Sequence, residues 1–276
     1  MPRRPIKRNG DYPAKDPQET ETFQVIHLGS LSLLLTKRES EKLITIYLGG
    51  PMRWCVYCEL PKSNGQLKEI GYLNKVRFDL LCSMEHSFAK GHDTKQVIRL
   101  LVQYIHDIYP SVTHLSFNDT STKACDNSVD TSLAFMTFLY TGKTWYEKNF
   151  DAMIALQSKA EYEDLKKRFI DLKKKPWEEF WDYANRGAIL QEPVLKALYE
   201  SSETWEDFYG SIVDEVGIAE FCNWISAWSQ RYAHDHRIQF MTFTFHLPIR
   251  SYGLSFTIDQ KGGRRKRRRY TRKQFA

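Results

Sequence analysis

The chain has 276 residues, of which 42% are hydrophobic and 14% aromatic, and this is enough apolar material for one large domain or two small ones. No apolar run approaches the roughly 18 residues that span a bilayer, and the start, MPRRPIKRNG, lacks the apolar centre of a signal peptide, so we expect a soluble intracellular protein with no membrane partner. The net charge of +6 is unevenly placed, because removing four basic residues near the start and eight near the end leaves −6 for the body.

The first segment, residues 1–22, is basic and proline-rich and holds few apolar side chains. We predict a disordered tail, since such a segment cannot bury enough surface to offset its ordering entropy. From Phe23 the strings FQVIHLGSLSLLL, KLITIYLG and RWCVYCELP are rich in β-branched and aromatic residues and are separated by the turn signals KRES and GGP. They predict an antiparallel meander.

The five cysteines have irregular spacing, which predicts free thiols in a reducing compartment. Cys55 and Cys58 have the spacing of half a zinc site, but no second pair follows at a suitable distance. Residues three apart on a strand also point to opposite faces of the sheet. We therefore expect buried thiols and no metal site.

The middle of the chain has the order strand, turn, helix, strand, helix. A strand is predicted over 71–87, and a helix over 94–109 follows the break AKGHD. Val97, Leu101 and Ile105 lie on one face of this helix, which predicts that the face is buried. A strand over 112–117 comes next, and so short a connection predicts a parallel pair of strands. The turn before the helix then lies where open α/β sheets bind ligands.

The segment ending at Phe150 carries the string YEKNF at residues 146–150, with Gly142 four residues before the tyrosine. It resembles the Y-E-K-x-G-F ending of the GNAT N-acetyltransferase family, whose fourth strand, third helix, fifth strand and fourth helix run in this order. The resemblance covers about the middle third of the chain. The strings SFND and GKTWYE also resemble uncharacterised proteins of large nucleocytoplasmic DNA viruses, which implies a location in the host cytoplasm or nucleus, or in a virion.

The GNAT resemblance implies transfer of an acetyl group from acetyl-CoA to an amine. It assigns the general acid to Tyr146, whose other interpretation is an aromatic residue packed at a helix end; Glu85 is our candidate base, with His86 and Asp119 as alternatives. The coenzyme pyrophosphate would bind the turn formed by Lys90, Gly91, His92, Asp93, Thr94 and Lys95. Asp93 followed by Gln96 is also the pattern of a capping box, in which the carboxylate would occupy the same N–H groups.

The part of the chain after residue 150 predicts helices up to 237, which we interpret as a helical insertion into a GNAT-like domain at 23–150. Over 238–260, apolar residues alternate with polar ones on both sides of the string PIRS. This pattern predicts a β-hairpin with one apolar face that completes the sheet. The predicted fold class is therefore α+β, a GNAT-like mixed sheet with crossover helices, a helical insertion and a C-terminal hairpin.

The C-terminal segment, 261–276, is the strongest compositional signal. Eight basic residues occur within ten positions, without an acidic one: Arg264, Arg265, Lys266, Arg267, Arg268, Arg269, Arg272 and Lys273. This predicts a flexible polycation that binds nucleic-acid phosphates non-specifically, although the same string would also serve as a nuclear-localisation signal. Two functions follow as hypotheses. One is a GNAT-like N-acyltransferase, and the other is a non-catalytic GNAT-like virion or DNA-associated protein anchored by this tail.

Overall fold

The computed structural model describes residues 16–76, 80–84, 88, 92–125, 130–238 and 240–259. The strands are β1 (Thr20–Leu28), β2 (Leu31–Glu39), β3 (Leu43–Gly49), β4 (Trp54–Ser63), β5 (Gln66–Leu67), β6 (Ile70–Val76), β7 (His114–Asn118), β8 (Thr122–Ala124), β9 (Asp130–Ser132), β10 (Met153–Ile154), β11 (Thr244–Pro248) and β12 (Thr257–Asp259). The α-helices are α1 (His92–Ile108), α2 (Leu133–Thr141), α3 (Trp145–Phe150), α4 (Lys159–Lys173), α5 (Trp177–Ala184), α6 (Glu192–Ser201) and α7 (Trp205–Asp235). The predicted α+β class is confirmed.

Two compact units make up the chain. Unit 1 contains the residues up to Phe117 and those from Pro248 onward, and unit 2 is Asn118–Leu247. The boundary predicted at residue 150 falls inside unit 2, because α2 packs closely against α7 and so groups with the later helices. None of the helices in the described part of the chain is long and apolar enough to cross a membrane.

The sheet of unit 1 has the strand order β7-β6-β4-β3-β2-β1-β12, with β5 beside β4. Strands β1 to β4 form the predicted antiparallel meander, and β6 pairs with β7 in parallel, as the strand–helix–strand pattern predicts. The boundaries differ. Strand β1 begins at Thr20 instead of Phe23, and β6 ends at Val76 instead of residue 87, since a short 3-10 turn at Leu80–Cys82 follows.

The predicted C-terminal hairpin is wrong. Strand β11 pairs with β10, and β12 pairs with β1, so the two strands are not hydrogen-bonded to each other. Residues 251–253, which form no strand, are instead hydrogen-bonded to the buried side chain of Gln103 on α1. Its Oε1 accepts hydrogen bonds from the backbone N–H groups of Tyr252 (2.6 Å) and Gly253 (3.1 Å) and from the Ser251 hydroxyl (3.1 Å).

The prediction of free thiols is wrong for four of the five cysteines. Disulfides join Cys55 to Cys82 in unit 1 and Cys125 to Cys222 in unit 2, and Cys58 alone is a free, buried thiol. The partners lie 27 and 97 residues apart in the sequence, so no local spacing indicates these pairs. Burial raises the pKa of the Cys58 thiol well above its usual value, which keeps it protonated.

The core of unit 2 is aromatic and centres on α7. Trp205, Tyr209, Trp224 and Trp228 are fully buried on this helix, which is interrupted at Gly217, where φ is +80°. Buried indole N–H groups need acceptors, and backbone carbonyls of other helices supply them for two of the three tryptophans, whereas Nε1 of Trp228 has no partner among the described residues. Trp205 donates to the Phe169 carbonyl and Trp224 to the Ala184 carbonyl, each at 2.7 Å. The helices that the sequence predicts after residue 150 are thus held together by ring packing.

Candidate functional site

The predicted coenzyme-binding residues are described in part. Lys90 and Gly91 lie outside the described residues, as does Glu85. His92, Asp93, Thr94 and Lys95 form the first turn of α1, which begins two residues earlier than predicted. The Asp93 carboxylate lies 3.0 Å from Nδ1 of His92. A carboxylate at this helix end complements the helix dipole and repels a second anion, so the described part of this turn does not fit a diphosphate.

Tyr146 lies in the core of unit 2. Its side chain is 3% exposed. Its ring packs edge-on against Trp145 at a centroid distance of 5.0 Å and in a tilted arrangement against Phe150 at 5.8 Å. Burial raises the pKa of its phenol far above the usual value, and the charge of Asp119 raises it further. The sequence left two interpretations of Tyr146 open, a general acid and an aromatic residue packed at a helix end. This environment favours the second.

The residues around Tyr146 explain locally why a helix starts here. Thr144 and Glu147 form a capping box, in which each side chain bonds the other residue's backbone N–H. Oε2 of Glu147 accepts the Thr144 N–H at 2.7 Å and also the hydroxyl of Tyr162 at 2.5 Å. The first two residues of the YEK string therefore have structural roles. Tyr146 packs in the core, and Glu147 caps α3 and accepts a hydrogen bond from Tyr162 on α4.

Asp119 is the most unusual polar group near Tyr146. It follows β7, it is 1% exposed, and its Oδ1 accepts hydrogen bonds from the backbone N–H and the hydroxyl of Ser121. Its Oδ2 is buried without a hydrogen-bond partner among the described residues. Burial raises the pKa of Asp119, the bonds from Ser121 oppose this, and the Glu147 carboxylate raises it again.

We call Asp119, Tyr146, Glu147 and Tyr162 the acid–tyrosine cluster. Burial first, and then the Glu147 charge and hydrogen bond, raise the pKa of Tyr162. Lys166 supplies a nearby cation, with its Nζ 3.9 Å from Oε1 of Glu147 and 4.5 Å from the centre of the Tyr162 ring. Burial thus raises the pKa values of Asp119, Tyr146 and Tyr162, a pattern that occurs at catalytic sites and also in structural clusters. Tyr146 is the general acid that the resemblance implies, and Asp119 is one of the candidate bases; both lie in unit 2, where the charge of Asp119 acts on the Tyr146 phenol.

The sequence reasoning missed a second feature, a group of aromatic residues on one side of the unit 1 sheet. Tyr47 on β3 lies opposite Tyr57 on β4, Tyr72 on β6 lies opposite Glu59 on β4, and Trp54 packs near Tyr47 and Tyr57; we call these four aromatic residues the aromatic face. Their strands alternate in the sequence between rings or polar residues on this side and apolar residues such as Ile46 on the other. That alternation was the available signal.

Two further predictions concern ligands. The basic residues from Arg264 to Lys273 lie outside the described part of the chain. Within the described ranges, no group of three or more histidine, cysteine, aspartate and glutamate side chains could hold a metal ion. Comparison of the chain with protein families, with curated proteins and with solved structures found no match.

Proposed function

We propose that this protein is a non-catalytic nucleic-acid-associated protein and that its C-terminal polycation makes the contact. The observation that carries the proposal is the charge density from Arg264 to Lys273, where eight of ten residues are basic. Such a segment neutralises phosphates and releases their counterions, which is the main source of non-specific affinity. Arginine, which supplies six of the eight charges, also binds phosphate through two parallel N–H donors.

The rest of the chain supports this division of labour. The body between the two basic ends carries a net charge of −6, so it does not attract phosphate by itself. The polycation begins shortly after β12, whose last residue, Asp259, belongs to the edge strand of the unit 1 sheet. The proposal therefore assigns anchoring to the tail and leaves the two folded units to other contacts.

Salt-dependent binding tests the proposal. Fluorescence anisotropy with a labelled duplex should give a slope of log K against log salt of up to about −7, since each contacted phosphate contributes about −0.9. Deleting residues 262–276 should abolish binding at low salt. Replacing Arg3, Arg4, Lys7 and Arg8 by glutamine is the matched control and should change the affinity far less. Full affinity in the deletion variant would contradict the proposal and place the contact in the body.

A second candidate is the acetyl transfer to an amine that the GNAT resemblance implies. The observation in its favour is the acid–tyrosine cluster, where Asp119 keeps an unpartnered Oδ2 and its charge acts on Tyr146. Buried carboxylates with raised pKa values are common at catalytic sites, although structural clusters also produce them. A GNAT-like arrangement of the sheet is part of this second proposal.

Calorimetric titration of the whole chain with acetyl-CoA separates the two candidates. Binding at sub-millimolar ligand, together with a Tyr146→Phe variant that loses turnover but keeps its affinity, supports the transferase. No heat of binding excludes it. Thr137→Ser, a small change at a buried side chain of the same unit, is the control for indirect effects on folding.

A further inference from the structure

A cavity of about 230 Å³ lies in unit 2, beside α4, α5 and the last turns of α7. Four of the residues that line it carry rings. Phe180 and Tyr183 belong to α5, Tyr232 belongs to α7, and His236 directly follows α7. Pockets for drug-sized molecules have about 300–1,000 Å³, so this cavity fits a small molecule or the end of one side chain.

The rings around this cavity meet at steep angles. The Tyr183 ring lies at 87° to the Tyr232 ring with a centroid distance of 5.1 Å, and the Phe180 ring lies at 88° to the Tyr232 ring at 6.1 Å. The imidazole of His236 lies 4.5 Å from the Tyr232 ring and 5.6 Å from the Tyr183 ring. Rings in this arrangement form a corner, which is the geometry of the aromatic cages that bind quaternary ammonium groups.

The Tyr232 hydroxyl adds a polar atom to this corner. Tyr232 is 3% exposed, and within the described ranges its hydroxyl has no hydrogen-bond partner. Burial raises the pKa of this phenol, and the nearby Tyr199, Tyr183 and Glu179 raise it further, so the hydroxyl stays protonated and neutral. Buried polar atoms are nearly always hydrogen-bonded to protein or to ordered water. An unpartnered hydroxyl at a cavity therefore indicates that the cavity holds a guest or water.

Three basic side chains contact residues of the lining, and each already has a carboxylate partner. The pairs are Lys175 with Glu179 at 2.7 Å, Arg168 with Asp164 at 2.9 Å and Arg231 with Asp235 at 3.5 Å. Arg237, the residue after His236, lines a separate cavity. These pairs leave the basic groups beside the rings neutralised.

Asp182 also lines the cavity, and it lies at an exposed position. Its carboxylate has no ion pair in the part of the chain that the structure describes. Burial and then the charge of Lys175 lower the pKa of His236, so its imidazole is neutral at pH 7. The C-terminal end of α7, beside His236, adds the partial negative charge of a helix dipole. The lining therefore attracts a cation.

Unit 2 already holds one primary ammonium against a ring. Nζ of Lys173 lies 4.0 Å from the centre of the Tyr199 ring, and it donates to the carbonyls of Tyr199 and Ser202 at 2.8 and 2.9 Å. That ammonium receives acceptors as well as a ring. The two buried residues of the cavity lining, Phe180 and Tyr232, supply one side-chain acceptor between them, the Tyr232 hydroxyl. An ammonium whose N–H groups are replaced by methyl groups needs no acceptor, so it suits this lining better.

From the ring corner, the unpartnered hydroxyl and the unpaired carboxylate, we propose that this cavity binds an alkylated ammonium group, with its methyl groups against Tyr183 and Tyr232 and its charge toward Asp182. Small molecules such as choline and trimethylated lysine side chains both carry such a group. The inference is independent of the proposed function, because it concerns a cavity of unit 2 and not the C-terminal polycation.

Ligand-observed NMR titration of the full chain with choline tests the proposal. We expect saturable binding with a dissociation constant at or below about 10 mM, since so small a ligand buries few atoms. The neutral alcohol in which a carbon atom replaces the choline nitrogen has the same shape without the charge, and it should bind about 5- to 30-fold more weakly. Equal affinity for the two ligands would overturn the proposal, and so would the absence of saturation with choline.

Variants of α5 locate the binding. Tyr183→Leu removes one ring and should weaken choline binding about fivefold or more. Tyr183→Phe keeps the ring and loses only the hydrogen bond to Asp235, so its affinity should stay within about twofold of the unaltered chain. Trp181→Leu is the matched control, because it removes a ring of the same helix that stacks on Trp177 and does not line the cavity. Unchanged affinity in Tyr183→Leu would contradict the site.

A second titration distinguishes the two sources of the ammonium group. A short peptide with trimethyllysine should bind more tightly than choline when the natural ligand is a protein side chain, and more weakly when it is a small molecule. The same peptide with unmodified lysine should bind at least about fivefold more weakly than the methylated one. Equal binding of the two peptides, or tighter binding of inorganic phosphate than of choline, would also overturn the proposal.

Discussion

The Asp119 carboxylate is buried, so the free energy of unfolding depends on the pH at which this group ionises. Its folded pKa is raised above its ordinary value of 3.8, mainly by burial, so the folded state favours the protonated acid. Asp119 makes its full contribution to the free energy of unfolding when the pH is below its pKa in the unfolded chain. This contribution is lost as the pH rises through its pKa in the folded protein. The native aspartate therefore destabilises the protein at neutral pH.

We expect Asp119→Asn to stabilise unit 2 by on the order of 1 kcal/mol at neutral pH and to have less effect near pH 4, because the amide removes the buried charge. Urea unfolding from about pH 4 to about pH 8 measures this difference. Asp182→Asn, at an exposed position, is the matched control. A difference between Asp119→Asn and the unaltered chain that does not change with pH would contradict the assignment.

Tyr146 supports a second prediction about a single side chain. Because its ring is buried against Trp145 and Phe150, Tyr146→Ala should lower the free energy of unfolding by about 3–5 kcal/mol. Tyr146→Phe keeps the ring and should cost less than about 1.5 kcal/mol. Denaturant titration measures both values. A small effect of the alanine variant would show that the ring is not part of the core.

At the scale of elements, hydrogen bonds from residues 251–253 to Gln103 join the segment before β12 to α1. Gln103 holds residues 251–253 through three acceptor contacts. Gln103→Ala should leave the Tyr252 amide without this partner, while the Gly253 amide keeps the Ser251 hydroxyl, and should cost about 1 kcal/mol. Hydrogen exchange at Tyr252 and Gly253 should accelerate to match. Gln191→Ala, an exposed glutamine whose side chain makes no capping bond, is the control and should leave these amides unchanged.

The two disulfides constrain the chain over very different distances. The Cys125–Cys222 bond closes a loop of 97 residues and the Cys55–Cys82 bond one of 27. In the chain-entropy account, replacing the first pair by serine should cost about 4–5 kcal/mol, and about 1 kcal/mol more than replacing the second. Thermal or urea unfolding of the two double variants compares them. Five titratable thiols in the purified, unfolded chain would contradict both bonds.

Strand and helix periodicity in the sequence was sufficient for the local architecture of both units. The alternation after Phe23 predicts the β1–β4 meander, and the stripe of Val97, Leu101 and Ile105 predicts α1 and hence the parallel pairing of β6 with β7. Such patterns depend only on neighbouring residues and on which side is apolar. The charge division between the body and the basic ends is likewise complete in the sequence.

These patterns did not predict which distant segments contact each other in the fold. The same alternation fits a strand beside β1 or a hairpin, and in the structure β12 pairs with β1 while Gln103 binds residues 251–253. Cys125 meets Cys222, and Asp119 comes near Tyr146, because packing brings together residues that no spacing rule connects. Composition and periodicity therefore determined the secondary-structure elements and the charged ends. Tertiary packing determined the disulfide pairs, the burial of Tyr146 and the surroundings of Asp119.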